Sequence, residues 1–100
     1  MKDFNAYGFR SDLQDEIINE VSTNNLTDDD AIQEYIHHSV ENACIYYADC
    51  WAIAYELGHN DFENPITGET CKDIVELAFY SLLDYVQNTI DVDKLITEYA

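Results

Sequence analysis

Carboxylates and imidazoles four residues apart are the groups in this chain with the most obvious chemistry to offer. His37 with Glu41, and Glu34 with His38, have the separation that brings two side chains together on one face of a helix. Each pair can present two ligands to a metal ion, but the HExxH pattern and the paired cysteines that would complete such a site are missing. Solvated side chains are the expected state. His59 follows Gly58 at an expected helix end, where an imidazolium suits the carbonyl end of the dipole. Asp28-Asp29-Asp30 invites calcium, yet the alternating acids, central glycine and distant bidentate Glu of an EF-hand loop are absent; acids in a first helical turn are explained by the positive end of the macrodipole. With 21 acids in 100 residues, two carboxylates close together carry no catalytic meaning by spacing alone.

The thiols point the same way. Cys44, Cys50 and Cys71 are an odd number at no metal-ligand spacing. If Cys44 and Cys50 share a helix, about 9 Å of rise separates them, beyond the roughly 7 Å limit for a disulfide. Buried, reduced cysteines are therefore expected, and the surrounding negative charge would raise a thiol pKa, which argues against a nucleophile. The chain also lacks a glycine-rich phosphate loop and a basic patch for nucleic acid. The expectation is a protein that is not an enzyme, with no catalytic residues, no metal, no cofactor and no direct contact with DNA or RNA.

What the chain has in excess is negative charge. It carries 21 Asp and Glu against 4 Lys and Arg, a formal net charge of -17. From Ser11 to Cys71 run 61 residues with 14 acids and no Lys or Arg. Solubility alone asks a small domain for roughly 2 to 8 units. High charge with few apolar residues signals disorder, but 47% of this chain is hydrophobic and 13% aromatic, so it should fold. Residues 1–11 show no signal-peptide pattern, and the most apolar segment, Ala43 to Leu57, is too short for a membrane span. No membrane contact and a cytoplasmic location in a bacterial host are the expectations.

One hundred residues suit one domain, read here as a single acidic helical domain over residues 1–100. Ser11 with Gln14 forms a capping-box signal, and Leu13, Ile17, Ile18 and Val21 follow at helical spacing, which predicts a first helix from Asp12 to Thr23. Thr27 is expected to cap a second. From Ile32, apolar residues recur through Ile36, Val40, Ala43, Tyr47, Cys50, Ala54 and Leu57 up to Gly58, either as one long helix or as two with a bend near Ser39. Thr70 with Asp73 opens the next, whose buried side includes Ile74, Ala78, Leu82, Tyr85, Val86 and Thr89. Asp91 caps a short last helix through Leu95, Ile96 and Tyr99. The predicted fold is all-α, a compact domain of about four helices with the central one long or bent, and at most a small strand within Asp61 to Thr67.

At about 100° per residue, Glu34, Glu41, Asp49 and Glu56 fall on one side of the central helix as an acidic stripe about 33 Å long if unbent. Asp73, Glu76 and Asp84, with Tyr80 among them, line a second outward face, and Asp12, Glu16 and Glu20 a third. Ile45 and His38 project onto the stripe and can act as anchors within it. The aromatic group Tyr46, Tyr47, Trp51 and Tyr55 is expected in the core, with Tyr46 and Tyr55 as contact residues only if turned outward.

The segment Asn42-Ala43-Cys44-Ile45-Tyr46-Tyr47-Ala48-Asp49-Cys50-Trp51 resembles a pattern of small phage and mobile-element proteins, an apolar-Tyr-Tyr-x-Asp-x-Trp core within a helix. Size and acidity also resemble the anti-CRISPR and anti-restriction proteins that imitate DNA. The resemblance implies a non-enzymatic inhibitor whose partner is a basic nucleic-acid-binding protein, a Cas nuclease before a restriction enzyme, engaged through the groove that reads the PAM duplex. Contact residues on this reading are Glu34, Glu41, Asp49, Glu56, Asp73, Glu76 and Asp84, with Tyr46 and Tyr80. The competing expectation is an interaction module or homodimer acting through an apolar face, its acidity serving solubility alone.

Overall fold

The computed structural model describes residues 3–100; the first two residues of the 1–11 segment read for a signal peptide lie outside it. Five helices follow one another: α1 (Ala6–Ser22), α2 (Asp29–Ala43), α3 (Tyr47–Glu56), α4 (Ile74–Thr89) and α5 (Val92–Tyr99). Among the described residues no strand forms. The Asp61 to Thr67 segment contributes only to an isolated antiparallel bridge, Glu63 with Thr70. The all-α expectation holds, with five helices in place of about four.

Short polar side chains start four of these helices by accepting an orphan backbone N–H. Asn5 accepts from Gly8, Asp28 from Ala31, Asp73 from Glu76 and Asp91 from Lys94. Ser11 does not cap the first helix but lies inside it, because Asn5 begins the helix six residues earlier; Gln14 instead accepts from the Arg10 guanidinium at 3.1 Å. Asp28 takes the capping role expected of Thr27, and Asp73 caps α4 from its own carboxylate. Left-handed residues close two helices: Asn24 at φ 64° after α1 and Gly58 at φ 76° after α3. In each case the next residue's N–H reaches back five positions, Asn25 to Glu20 O at 2.9 Å and His59 to Ala54 O at 2.9 Å.

The predicted central helix divides at Cys44–Tyr46 and not near Ser39. Cys44 ends α2 and Tyr46, in extended conformation, starts α3 without a side-chain cap. This interruption rotates the buried arc of the second half. On α2 the buried residues are Ile32, Ile36 and Val40; on α3 they are Cys50, Ala52, Ile53 and Ala54. At about 100° per residue the centre of the apolar arc shifts by roughly 50° relative to a continuous helix, which brings Ile53 inside and swings Tyr47 outside. Ile53 is fully buried and Tyr47 is 60% exposed.

α4 is the hub. It buries Ile74, Leu77, Ala78, Ser81, Leu82, Leu83 and Val86, and packs against α1, α2 and, most extensively, α3. Both helices of that most extensive pair bury small residues, Ala52 and Ala54 on α3 and Ala78 and Ser81 on α4. Tyr85 and Thr89, assigned from the sequence to the buried side, are half-buried and exposed. Leu77 and Leu83 take the interior places. One buried cluster runs through all five helices and extends to Cys71 in the loop before α4. That loop is organised by Asn64, buried itself, whose Oδ1 accepts from Ile66 at 2.8 Å and Thr67 at 3.2 Å. No described helix is long and apolar enough to cross a membrane.

The rotated arc gives an expected pair of outcomes. Ile53→Ala should destabilise by about 2 to 5 kcal/mol through lost burial and a residual cavity. Tyr47→Ala should change stability by no more than roughly 0.5 kcal/mol. Urea titrations of both variants check this; the opposite ranking would restore the continuous helix.

Candidate functional site

All the acids lie at the surface. Asn64 and Ser81 are the only buried polar residues among those described, and no Asp or Glu joins them. The arrangement of the nine expected contact residues differs from one continuous stripe, because the break at Cys44–Tyr46 parts Glu34 and Glu41 on α2 from Asp49 and Glu56 on α3.

Four of the nine meet at an open cleft of about 560 Å³ beside α2 and α4, lined by Glu41, Asp73, Glu76 and Tyr80 together with Cys44, Lys72, Val75 and Phe79. Its lining holds three carboxylates and one ammonium, so the cleft is acidic without being free of base. Asp73 also holds the start of α4 through its 2.9 Å contact with the Glu76 N–H. Tyr80 is half-buried, with its ring edge-on to Phe79 at 5.2 Å. Asp84, one turn beyond Tyr80 on α4, accepts from Asn88 at 3.1 Å. Glu34 is exposed, its Oε1 3.8 Å from His38 Nε2. Asp49 is half-buried and Glu56 exposed on the flank of α3.

The metal pairs do not develop into a site. His37 lies edge-on to Phe79 at 5.9 Å, and among the described residues no group of three or more His, Cys, Asp or Glu converges as a metal site would require. His59 serves the end of α3 through its backbone N–H.

The aromatic group contradicts its expected place in the core. Tyr46 is 69% exposed, Tyr47 60%, Trp51 42% and Tyr55 74%, and Ile45 beside them 65%. Tyr47, Trp51 and Tyr55 recur every four residues along one side of α3, and Tyr47 meets Trp51 edge-on at 6.4 Å. Behind Trp51 stands Phe62, edge-on at 6.2 Å and held in the left-handed conformation at φ 57°. Its carbonyl accepts from the Cys71 N–H. A non-glycine residue in that conformation costs of order 1 to 3 kcal/mol, which the surrounding loop must supply. Sequence reasoning names Tyr46 as a contact residue, Ile45 as an anchor and Tyr55 as a contact residue if turned outward, but places Tyr47 and Trp51 in the core, although a signal against that is present. Cys50, Ile53, Ala54 and Leu57 already make a complete apolar face, which leaves Tyr47, Trp51 and Tyr55 as a second, surplus one.

Comparison with protein-family models, with curated proteins and with solved structures found no match to this chain.

The three thiols are free and buried. Cys44 and Cys50 do not share a helix; the turn between them folds back so that Cys50 Sγ lies 3.5 Å from Cys44 O. Burial, then the neighbouring Cys50, pushes the Cys44 thiol from 9.0 up to about 12. Burial likewise raises Cys50 and Cys71. Burial hides these thiols from reagents, and in the folded state they keep their protons to higher pH than in the unfolded chain. The contribution of Cys44 to stability is therefore complete below the unfolded value of 9.0 and is lost as pH rises toward about 12; those of Cys50 and Cys71 are likewise lost as pH rises above 9.0. Chemical unfolding followed over this window should show falling stability, with a shallower slope in Cys44→Ala. An aromatic disulfide reagent at pH 8 should meanwhile find all three thiols protected until the protein unfolds. Fast labelling of the native protein would contradict the burial.

Proposed function

We propose that this protein is a non-enzymatic inhibitor of a bacterial nucleic-acid-processing defence enzyme, and in particular an anti-CRISPR protein that offers its acidic surface to the basic DNA-binding groove of a Cas nuclease. The observation that carries the reading is charge density. A net charge of -17 along a longest dimension of 39 Å is roughly one unit per 2.3 Å. Duplex DNA has about one per 1.7 Å of axis. Carboxylates kept in water on α2, α3 and α4 suit a groove built of Lys and Arg, where they would replace the anions or nucleic acid that neutralise it. The resemblance of size and acidity to DNA-imitating inhibitors points the same way. On this reading Glu34 and Glu41 on α2 lead, the cleft of Glu41, Asp73, Glu76 and Tyr80 supports them, and Asp49, Glu56 and Asp84 extend the field.

A second reading draws on its own observation. Ile45, Tyr46, Tyr47 and Tyr55 are each at least 60% exposed within eleven residues, which favours an interaction module or homodimer joined through an apolar face.

Salt separates the two. Against purified RNA-guided nucleases, the wild-type protein should block binding of target DNA at about 50 mM salt and lose this effect at about 0.5 M, where the Debye length has shrunk to a few ångströms. Glu34→Lys with Glu41→Lys, both at exposed positions, should weaken binding at least tenfold and reduce the slope of log affinity against log salt by about two. Affinity that ignores both salt and charge reversal would remove the decoy reading and leave the apolar one.

A further inference from the structure

We infer that the aromatic side of α3, Tyr47, Trp51 and Tyr55 with Ile45 and Tyr46 at its N-terminal end, is an anchoring surface for arginine side chains of a basic protein partner. The inference rests on the proposed acidic recognition of a basic groove and adds what holds the complex together once charge has assembled it.

Three observations select this occupant. The first is the surface itself, a row of rings at every fourth residue that no other helix covers, with Trp51 propped from behind by the left-handed Phe62. Trp51, held between Phe62 and Tyr47, loses little freedom on binding, as a contact hot spot requires. The second is charge. The chain carries a net charge of -17, and the loop whose Phe62 packs on Trp51 holds Asp61, Glu63 and Glu69 and, as far as Cys71, no Lys or Arg, so a cation is drawn toward this face by the field of the whole molecule. A second copy of this chain would bring another net -17 to the same place, which opposes self-association through this face. The third is chemistry. A guanidinium is planar and weakly hydrated and stacks on aromatic faces while its N–H groups remain available to carboxylates; an ammonium does this less well. The molecule already contains one such pairing, with the Arg10 guanidinium 5.0 Å from the centre of the exposed Tyr7 ring.

The chain has a single Trp, so fluorescence of Trp51 reports occupation of this surface directly. Oligoarginine and oligolysine peptides of equal length are titrated at about 20 mM salt, where charge attraction is strong for both. Oligoarginine should bind roughly threefold to tenfold more tightly and perturb Trp51 more. Tyr47→Ala with Tyr55→Ala, at exposed positions that leave the circular dichroism spectrum unchanged, should abolish that preference while keeping the affinity for oligolysine. Glu34→Lys with Glu41→Lys should lower both affinities together and leave the preference intact. A wild-type protein with no preference for arginine, or a preference that survives loss of the two tyrosines, overturns the anchor and leaves the acidic reading standing. A dimer dissolved by the tyrosine substitutions overturns it in favour of a second copy. Binding of neither peptide overturns the acidic reading and the anchor with it.

Discussion

Folding here is a contest between like charges and one buried helix. Two carboxylates 10 Å apart in water repel by only about 0.4 kcal/mol before salt screens them, but 21 acids and 4 bases on 100 residues make many such pairs. With every acid at the surface and only 4 Lys and Arg to set against 21, exposed pairs such as Lys94 with Glu98 at 4.0 Å offset little of the repulsion, and most of the offset has to come from apolar burial. α4 supplies the centre of it, with seven buried residues packed against three other helices. Fully burying one Leu or Ile contributes about 1.5 to 3 kcal/mol, so the buried Ile74, Leu77, Leu82 and Leu83 together weigh as much as many exposed charge pairs. The helix that carries Glu76 and Asp84 toward solvent also supplies the burial that allows the acidic surface to exist.

The same contest explains which parts of the fold were legible in the sequence. Helix identity follows from apolar spacing and cap residues, and both are local: Asp91 caps the last helix, Gly58 ends α3, and the apolar positions of α1 and α2 lie inside as their spacing requires. Asn5 escaped because Ser11 with Gln14 makes the same local signal six residues later, and only the packing of the N-terminal turn, with Ala6 buried, decides between them. The break at Cys44–Tyr46 escaped for a different reason. The apolar residues on either side of it still fit a three-to-four repeat, so periodicity reads straight through, whereas a shift of roughly 50° in the buried arc appears only when α3 settles on α4.

That shift also decides what can be known of the surface from sequence. The carboxylates were recognisable as outward-facing because a charge has few other places to go. Their grouping was not, since Glu41 comes to line one cleft with Asp73 and Glu76 through the pairing of α2 with α4, which joins residues more than thirty positions apart. Lys72 shows the limit most clearly. It ends the base-free stretch of sequence, yet the fold returns it to the cleft that Glu41 also lines, where its charge offsets part of the cleft's negative charge. Aromatic residues were hardest to place, because an apolar ring at helical spacing reads as core whether or not the core has room for it.

On the proposed function, the surfaces of α2 and α3 divide the work of binding. Exposed charges act at a distance and raise the rate of encounter, but each contact they make is worth only about 0.2 to 1 kcal/mol and fades as salt rises. A decoy made of charge alone would find its groove quickly and leave it quickly, while the nucleic acid it displaces carries bases as well as phosphates. Rings that cover arginine side chains remove the contact from water, and the attraction then grows to about 2 kcal/mol or more for each desolvated pair. The break at Cys44–Tyr46 makes this division possible. In an unbroken helix Tyr47 would turn toward the core and the acids would form a single stripe; with the helix divided, α3 turns its rings outward on one side and keeps Asp49 and Glu56 on the other.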